Sequence, residues 1–187
     1  MVDTLRLALL FPGQGSQYVG MGKLLSDKFP HARAIFEKAN DILHIDLRTI
    51  CFQGPHKELL RTQNNQPAIL TTSIACWEVF RQEVPGLAVV ASAGLSLGEY
   101  TALVVAEALK FEDALKLVRA RGTYMQEACE MTPGTMASII GLEMDEVQQL
   151  CKTAAGVLDM ANINCPGQIV ISGHRDAVQE EIGRAHV

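Results

Sequence analysis

The chain has 187 residues, enough to bury a full core, and its 48% hydrophobic and 20% charged residues give an ordinary globular balance. A formal net charge of −5 without a basic cluster argues against nucleic acid as a partner. The cysteines (Cys51, Cys76, Cys129, Cys151, Cys165) are scattered, odd in number and form no C-x-x-C pair, which speaks against a zinc site or a disulfide framework and fits a reducing compartment.

Residues 5–11 (LRLALLF) are a short apolar run closed by Pro12-Gly13, which predicts a buried strand beginning at Leu5. No basic region precedes it and no apolar run approaches the roughly 18 residues of a membrane span, so a soluble cytoplasmic protein with no targeting peptide and no membrane contact is expected. The next stretch, FPGQGSQYVGMG (11–22), nearly matches two phosphate loops and fails both. Tyr18 stands where a dinucleotide fingerprint needs glycine, and Gly22-Lys23 lacks the upstream glycine of a Walker loop. It remains a glycine-rich turn that offers Gln14 and backbone N–H groups at the carboxyl edge of a sheet, where open α/β folds bind ligands. A tight turn with a surface glutamine is the equal alternative.

Short helices are predicted near 22–29, 31–43 and 56–61, and Pro67 is placed in the first turn of a helix running to about Gln82. Pro85-Gly86 ends it. LAVVASA (87–93) predicts a second buried strand, followed by GLSLG (94–98) and a helix over 97–109. Gly94-x-Ser96-x-Gly98 has the spacing of a nucleophile elbow, and the strand–turn–helix context is the one that motif requires. Glycines on both sides relieve a strained turn, and the Leu97 N–H at the helix start points at any developing oxyanion. A capping serine in an ordinary turn is the weaker alternative.

Phe111 to Glu130 predicts a long amphipathic helix with an apolar stripe of Phe111, Ala114, Leu115, Val118, Gly122, Met125 and Ala128. Arg121 falls on that stripe, while Lys116, Arg119, Thr123, Gln126 and Glu130 fall on the opposite, solvent-like face. A buried arginine needs an anionic partner. That partner is either a structural ion pair with Glu99 or a substrate carboxylate gripped by the guanidinium fork, and periodicity alone slightly favours the ion pair.

After Pro133-Gly134 the elements read strand (TMASIIGL), helix (EMDEVQQLCKTAA), strand (VLDMANIN), strand (QIVISG) and helix (HRDAVQEEI). This β-α-β-β-α order matches the first five elements of a ferredoxin-like unit. The chain thus reads as α/β, with a large subdomain over 1–130, a truncated small subdomain over 131–181, and a tail. IGRAHV (182–187) matches what a common sequencing-adapter DNA encodes in one frame, so a non-native tail is expected there, against the alternative of a natural frayed end.

LLFPGQGSQYVGMG, QPAILTTSIACWEVF, GLSLGEYTAL, RGTYMQEA, GTMASIIGL and NINCPGQIVISG occur in an order and spacing similar to those of malonyl-CoA:acyl carrier protein transacylases, the malonyltransferases of type II fatty acid synthesis. The resemblance covers 5 to about 181. Leu95 stands where many members carry histidine, a position that some members also fill with leucine. It implies a hydrolase-like α/β domain with an inserted ferredoxin-like domain, both incomplete here. Ser96 resembles the nucleophile that takes malonyl from CoA as an ester. Gln14 and the Leu97 N–H resemble the oxyanion hole, Arg121 the arginine that pairs with the malonyl carboxylate, and Met125 a lining residue of that pocket. Asn162 and Gln168 are similar to residues that contact CoA. The resemblance further implies malonyl-CoA and acyl carrier protein as partners, no metal or redox cofactor, a monomer at full length, and a catalytic histidine beyond residue 187. A serine esterase or thioesterase, and an inactive fragment that binds CoA or carrier protein, are the rival readings.

Overall fold

The structure, a computed structural model, describes residues 6–184. Leu5 and residues 185–187 of the expected tail lie outside the described residues. The chain divides into two compact units, Met1–Gln126 and Glu127–Val187.

In the first unit, β1 (Arg6–Phe11) pairs in parallel with β2 (Ala88–Gly94). Between them run α1 (Lys23–Lys28), α2 (Pro30–Leu43), α3 (Leu47–Gln53), α4 (His56–Leu60) and α5 (Thr62–Glu83). The short α3 has no counterpart in the sequence reading. Its start is a side-chain cap, with the Asp46 carboxylate accepting from the Thr49 N–H at 3.1 Å. The core gathers Phe36, Leu47, Leu59, Ile69, Leu70, Leu97, Leu115 and Val118, drawn from helices α2 to α5 and from α6 (Leu97–Val105) and α7 (Phe111–Met131). α6 is shorter than the expected 97–109. The chain leaves the helix there, and Glu107 adopts a left-handed φ of 58°.

Two expectations are corrected here. Pro67 does not sit in the first turn of its helix, because α5 already starts at Thr62. A proline inside a helix lacks the N–H that would bond the carbonyl four residues back. That carbonyl belongs to Gln63, and the Arg119 guanidinium satisfies it from α7 at 2.7 Å. This contact also corrects the solvent-like face assigned to α7. Arg119 donates to Asn64 Oδ1 at 2.7 Å as well, and Gln126 Oε1 accepts from the Thr62 N–H at 3.3 Å. On that face Arg119 and Gln126 thus make a polar contact with the first turns of α5, while Lys116 and Glu130 are exposed as expected. Desolvation there lowers the pKa of Arg119, assisted by the nearby charge of Arg61.

The strands are not buried on both faces either. β1 alternates between exposed and half-buried positions, with Leu10 80% exposed and, on β2, Val90 52% exposed. A continuous apolar run suits a strand covered on both sides. Here α6 packs on the two-stranded sheet, while Leu10 lines an open apolar groove of about 760 Å³ together with Phe11, Tyr18, Trp77, Phe80 and Val84.

The second unit holds β3 (Gly134–Ile140), α8 (Met144–Thr153), β4 (Leu158–Cys165), β5 (Gln168–His174) and α9 (Arg175–Arg184). The strands form an antiparallel sheet of order β3-β5-β4, with β3 and β4 both pairing with β5. Alternate residues of the strands, Ile139, Ile169 and Ile171 among them, meet Val147 of α8 and Ala177 and Val178 of α9 in a separate core. Ile182, the first residue of the expected tail, packs against that core within α9. No helix among the described residues is long and apolar enough to cross a membrane.

Candidate active site

β2 ends at Gly94 and α6 begins at Leu97, leaving two residues to reverse the chain. The turn is held by close backbone packing. A Cβ on Gly98 would lie 2.2 Å from the Phe11 carbonyl oxygen, and one on Gly94 would lie 2.0 Å from the Gly98 carbonyl carbon. Both are contacts that no side chain permits, which is the physical reason for glycine at these two positions. Between them Ser96 takes φ 53° and ψ −101°, a region that ordinary L-residues avoid and that costs of order 1–3 kcal/mol. Such a conformation persists only where its surroundings hold it. The Glu99 carboxylate does part of this by accepting from the Ser96 N–H at 3.1 Å, and the Ser96 side chain accepts in return from the Glu99 N–H in a capping box. Glu99 is therefore the anchor of the elbow's backbone. It is not the ion-pair partner that periodicity alone had slightly favoured for Arg121.

Arg121 faces the serine. One guanidinium nitrogen, Nη2, donates to Ser96 Oγ at 2.8 Å, and Nη1 donates to Gln66 Oε1 at 2.8 Å. The guanidinium carbon also stands 5.9 Å from the centre of the Tyr100 ring, within range of a cation–π attraction. Gln66 in turn donates through Nε2 to the Met125 sulfur at 3.1 Å. Ser96, Arg121, Gln66 and Met125 thus form one connected set built from the elbow, α7 and the start of α5.

α7 approaches α5 closely enough for this because residue 122 is glycine. A Cβ there would meet the Thr62 carbonyl oxygen at 2.6 Å and the Gln63 Cα at 2.9 Å. The Arg119 contacts to Gln63 and Asn64 fix the same junction. One turn of helix therefore presents Arg119 to the backbone of α5 and Arg121 to the serine.

Of the other expected site residues, Leu97 is the first residue of α6 and is fully buried, with its N–H at the positive end of the helix. Gln14 is exposed in the loop after β1. That loop is pinned by Ser16 Oγ donating to the Gly13 carbonyl at 2.9 Å and by the Gly15 N–H donating to Gln17 Oε1 at 2.8 Å. It runs against the elbow, because a Cβ on Gly13 would lie 2.8 Å from the Leu95 carbonyl oxygen. Asn162 and Gln168 belong to β4 and β5 of the second unit, where Gln168 Oε1 accepts from Asn164 Nδ2 at 3.2 Å. The apolar groove beside β1 is lined by neither Ser96, Gln66 nor Arg121, so its size does not make it the reactive centre.

Sequence reading missed Gln66 and the neighbouring Tyr100. The signal for Gln66 was present: a large polar residue directly before a helical proline, in a stretch otherwise reading as core, must have partners if it is buried. Its relative exposure is 0%.

An arginine fork on a strained serine fits an acyl group that ends in an anion. The family model described as "Acyl transferase domain" matches residues 8–186. The malonyl CoA-acyl carrier protein transacylase of Bacillus subtilis (strain 168) is 45% identical over 177 residues, covering 93% of this chain and 55% of that protein. The acyl-carrier-protein-S-malonyltransferase of Bartonella henselae superposes with a TM-score of 0.87 at 40% identity, over 97% of this chain and 59% of that one. A malonyl-transacylase solved in complex with a type II PKS acyl-carrier protein gives 0.85 at 42% identity, over 97% and 58%. The chain spans about half the length of the curated relatives it matches. On the family match across nearly its whole length, this chain belongs to the acyl transferase domain family.

Proposed function

We propose that this chain is the N-terminal part of an enzyme that moves malonyl from CoA to the pantetheine thiol of acyl carrier protein, through a seryl ester on Ser96. The observation that carries the reading is the 2.8 Å contact between Arg121 and Ser96 Oγ. A malonyl group esterified on Ser96 carries its carboxylate one methylene beyond the ester carbonyl. A guanidinium that reaches Oγ itself need only shift along that short arm to pair with it. Acetyl offers no carboxylate and leaves the cation without its counter-charge, which disfavours it.

In the first half-reaction a base takes the Ser96 hydroxyl proton while Oγ attacks the thioester carbonyl. The Leu97 N–H and Gln14 stabilise the oxyanion, and collapse breaks the C–S bond to release CoA, whose sulfur takes the proton back. In the second, the carrier thiol gives its proton to the base, its sulfur attacks the ester, and Oγ leaves with the proton. The thioester is already activated, so the scheme uses no metal or redox cofactor. Arg121 cannot be the base, since a guanidinium only donates. The resemblance assigns that role to a histidine beyond residue 187. Asn162 and Gln168 are proposed to contact CoA, on a small subdomain of ferredoxin-like type inserted in a hydrolase-like large one.

The test is intact-mass analysis of the chain after incubation with malonyl-CoA, with imidazole added as an external base. Expected are a malonyl adduct on Ser96 that grows faster with imidazole, its absence in Ser96→Ala, and its discharge onto a pantetheine thiol faster than onto water. An adduct that persists in Ser96→Ala overturns the nucleophile, and discharge to water alone favours an esterase or thioesterase.

A further inference from the structure

Gln66 is fully buried, yet it is an uncharged amide set directly against a guanidinium. The orientation of its amide follows from chemistry. Arg121 offers only N–H donors, so Gln66 must turn its oxygen to Arg121, and its nitrogen then donates to the soft sulfur of Met125. One arm of the guanidinium is thereby held by a dipole that carries no charge. The other arm, Nη2, rests on Ser96 Oγ. Had the buried partner been a carboxylate, it would form a closed ion pair with Arg121 and cancel the positive charge facing the serine.

We propose that Gln66 is a positioning residue that determines acyl selectivity: it anchors Arg121 through a neutral hydrogen bond, fixing the guanidinium beside Ser96 while leaving its charge available to an acyl carboxylate. This rests on the carboxylate-binding role proposed for Arg121. It adds that selectivity needs the cation both held and unneutralised, two conditions that a neutral acceptor meets together. Met125 acts one step further back, by occupying the amide nitrogen so that the oxygen stays turned toward Arg121.

The two conditions separate under substitution. Gln66→Glu keeps the shape and the acceptor but supplies an internal carboxylate. Gln66→Leu keeps the bulk and removes the anchor. The measurement is the ratio of dissociation constants for acetyl-CoA and malonyl-CoA on the purified chain, by calorimetry, for wild type, both Gln66 variants and Arg121→Ala. Binding needs no base, so the readout does not depend on turnover, and urea melts confirm that each variant is folded.

A charged hydrogen bond supports a preference of roughly ten- to a hundredfold for malonyl in the wild type. Gln66→Glu is expected to bring the ratio to near one, as Arg121→Ala does, and Gln66→Leu to lower it partway. A purely structural glutamine would weaken both thioesters alike and leave the ratio unmoved. A wild-type ratio retained in Gln66→Glu overturns the role of Gln66, while its loss in Arg121→Ala leaves that of Arg121 standing. A wild type without any malonyl preference overturns both. If Gln66→Leu fails to fold, the isosteric Gln66→Glu decides alone.

Discussion

Replacing Gly122 by alanine sets two effects of opposite sign against each other. In a helix interior alanine is favoured over glycine by about 1 kcal/mol, so on propensity alone α7 would gain. The structure points the other way. The new Cβ would lie 2.6 Å from the Thr62 carbonyl oxygen, 2.9 Å from Gln63 Cα and 3.0 Å from the Thr62 carbonyl carbon, all backbone atoms that no rotamer change can move. Reaching an ordinary contact of about 3.4 Å opens the junction between α7 and α5 by about 0.8 Å. Overpacking of this kind costs about 1–3 kcal/mol. The same opening stretches the 2.7 Å bonds from Arg119 to Gln63 and Asn64. Losing hydrogen bonds to a charged group adds about 1.5–3 kcal/mol, discounted here because the arginine side chain can partly follow. The net expectation is a loss of about 2–3 kcal/mol, which with a typical urea dependence lowers the unfolding midpoint by about 1–2 M. Urea titration followed by circular dichroism measures it. A midpoint equal to or above that of the wild type would mean that the junction yields freely, and the account of how α7 brings Arg121 to Ser96 would fail.

Asp46 caps α3, and hydrogen bonding to Thr49 holds its carboxyl below the ordinary 3.8. A depressed folded-state value contributes stability that is present above the unfolded value and lost as pH falls through the folded one. Asp46→Ala is therefore expected to cost about 1 kcal/mol at neutral pH, and the gap to wild type should close in acid below pH 3.8; an unchanging gap across a pH series of melts would refute the cap. Glu99→Ala removes the acceptor for the Ser96 N–H and should cost about 1 kcal/mol, whereas Glu99→Gln, which keeps an oxygen there, should cost much less. Equal losses in the two variants would show that the carboxylate acts by charge alone. Burial pushes the Cys51 thiol up to about 12, while Cys129 and Cys165 are exposed. At pH 8, iodoacetamide should alkylate Cys129 and Cys165 and spare Cys51 until the chain is unfolded, as peptide mass mapping would report. Comparable labelling of all three contradicts the packing of α3.

What the sequence determined by itself is local. The apolar runs at 5–11 and 87–93 specify strands because a leucine-rich run ends at Pro12-Gly13 and a run of valines and small residues ends at Gly94. The 111–130 stripe specifies a helix whose face is buried from Phe111 to Gly122, while Met125 and Ala128 of the same stripe are exposed. G-x-S-x-G specifies the elbow, since the close approaches at Gly94 and Gly98 tolerate no side chain and so leave their trace as residue identity. The β-α-β-β-α order of the second unit was legible for the same reason, as short elements separated by strong turn signals.

Partners across the fold were not legible. Periodicity placed Arg121 on a buried face and slightly favoured Glu99 over a substrate carboxylate as its partner, but it could not see Gln66, because that contact depends on how α7 meets α5 some 55 residues away in sequence. It assigned Arg119 to solvent for the same reason: its partner is a carbonyl freed by Pro67, on another helix. Pro67 itself was read as a helix start, the position where a missing N–H costs nothing, and only the tertiary contact shows how a proline five residues into α5 is accommodated. A sequence records each residue's own constraints, whereas a hydrogen bond between distant elements is a joint property of two surfaces. The elbow was therefore written in the sequence, and the arginine, glutamine and methionine gathered around it were decided by the packing of α7 on α5.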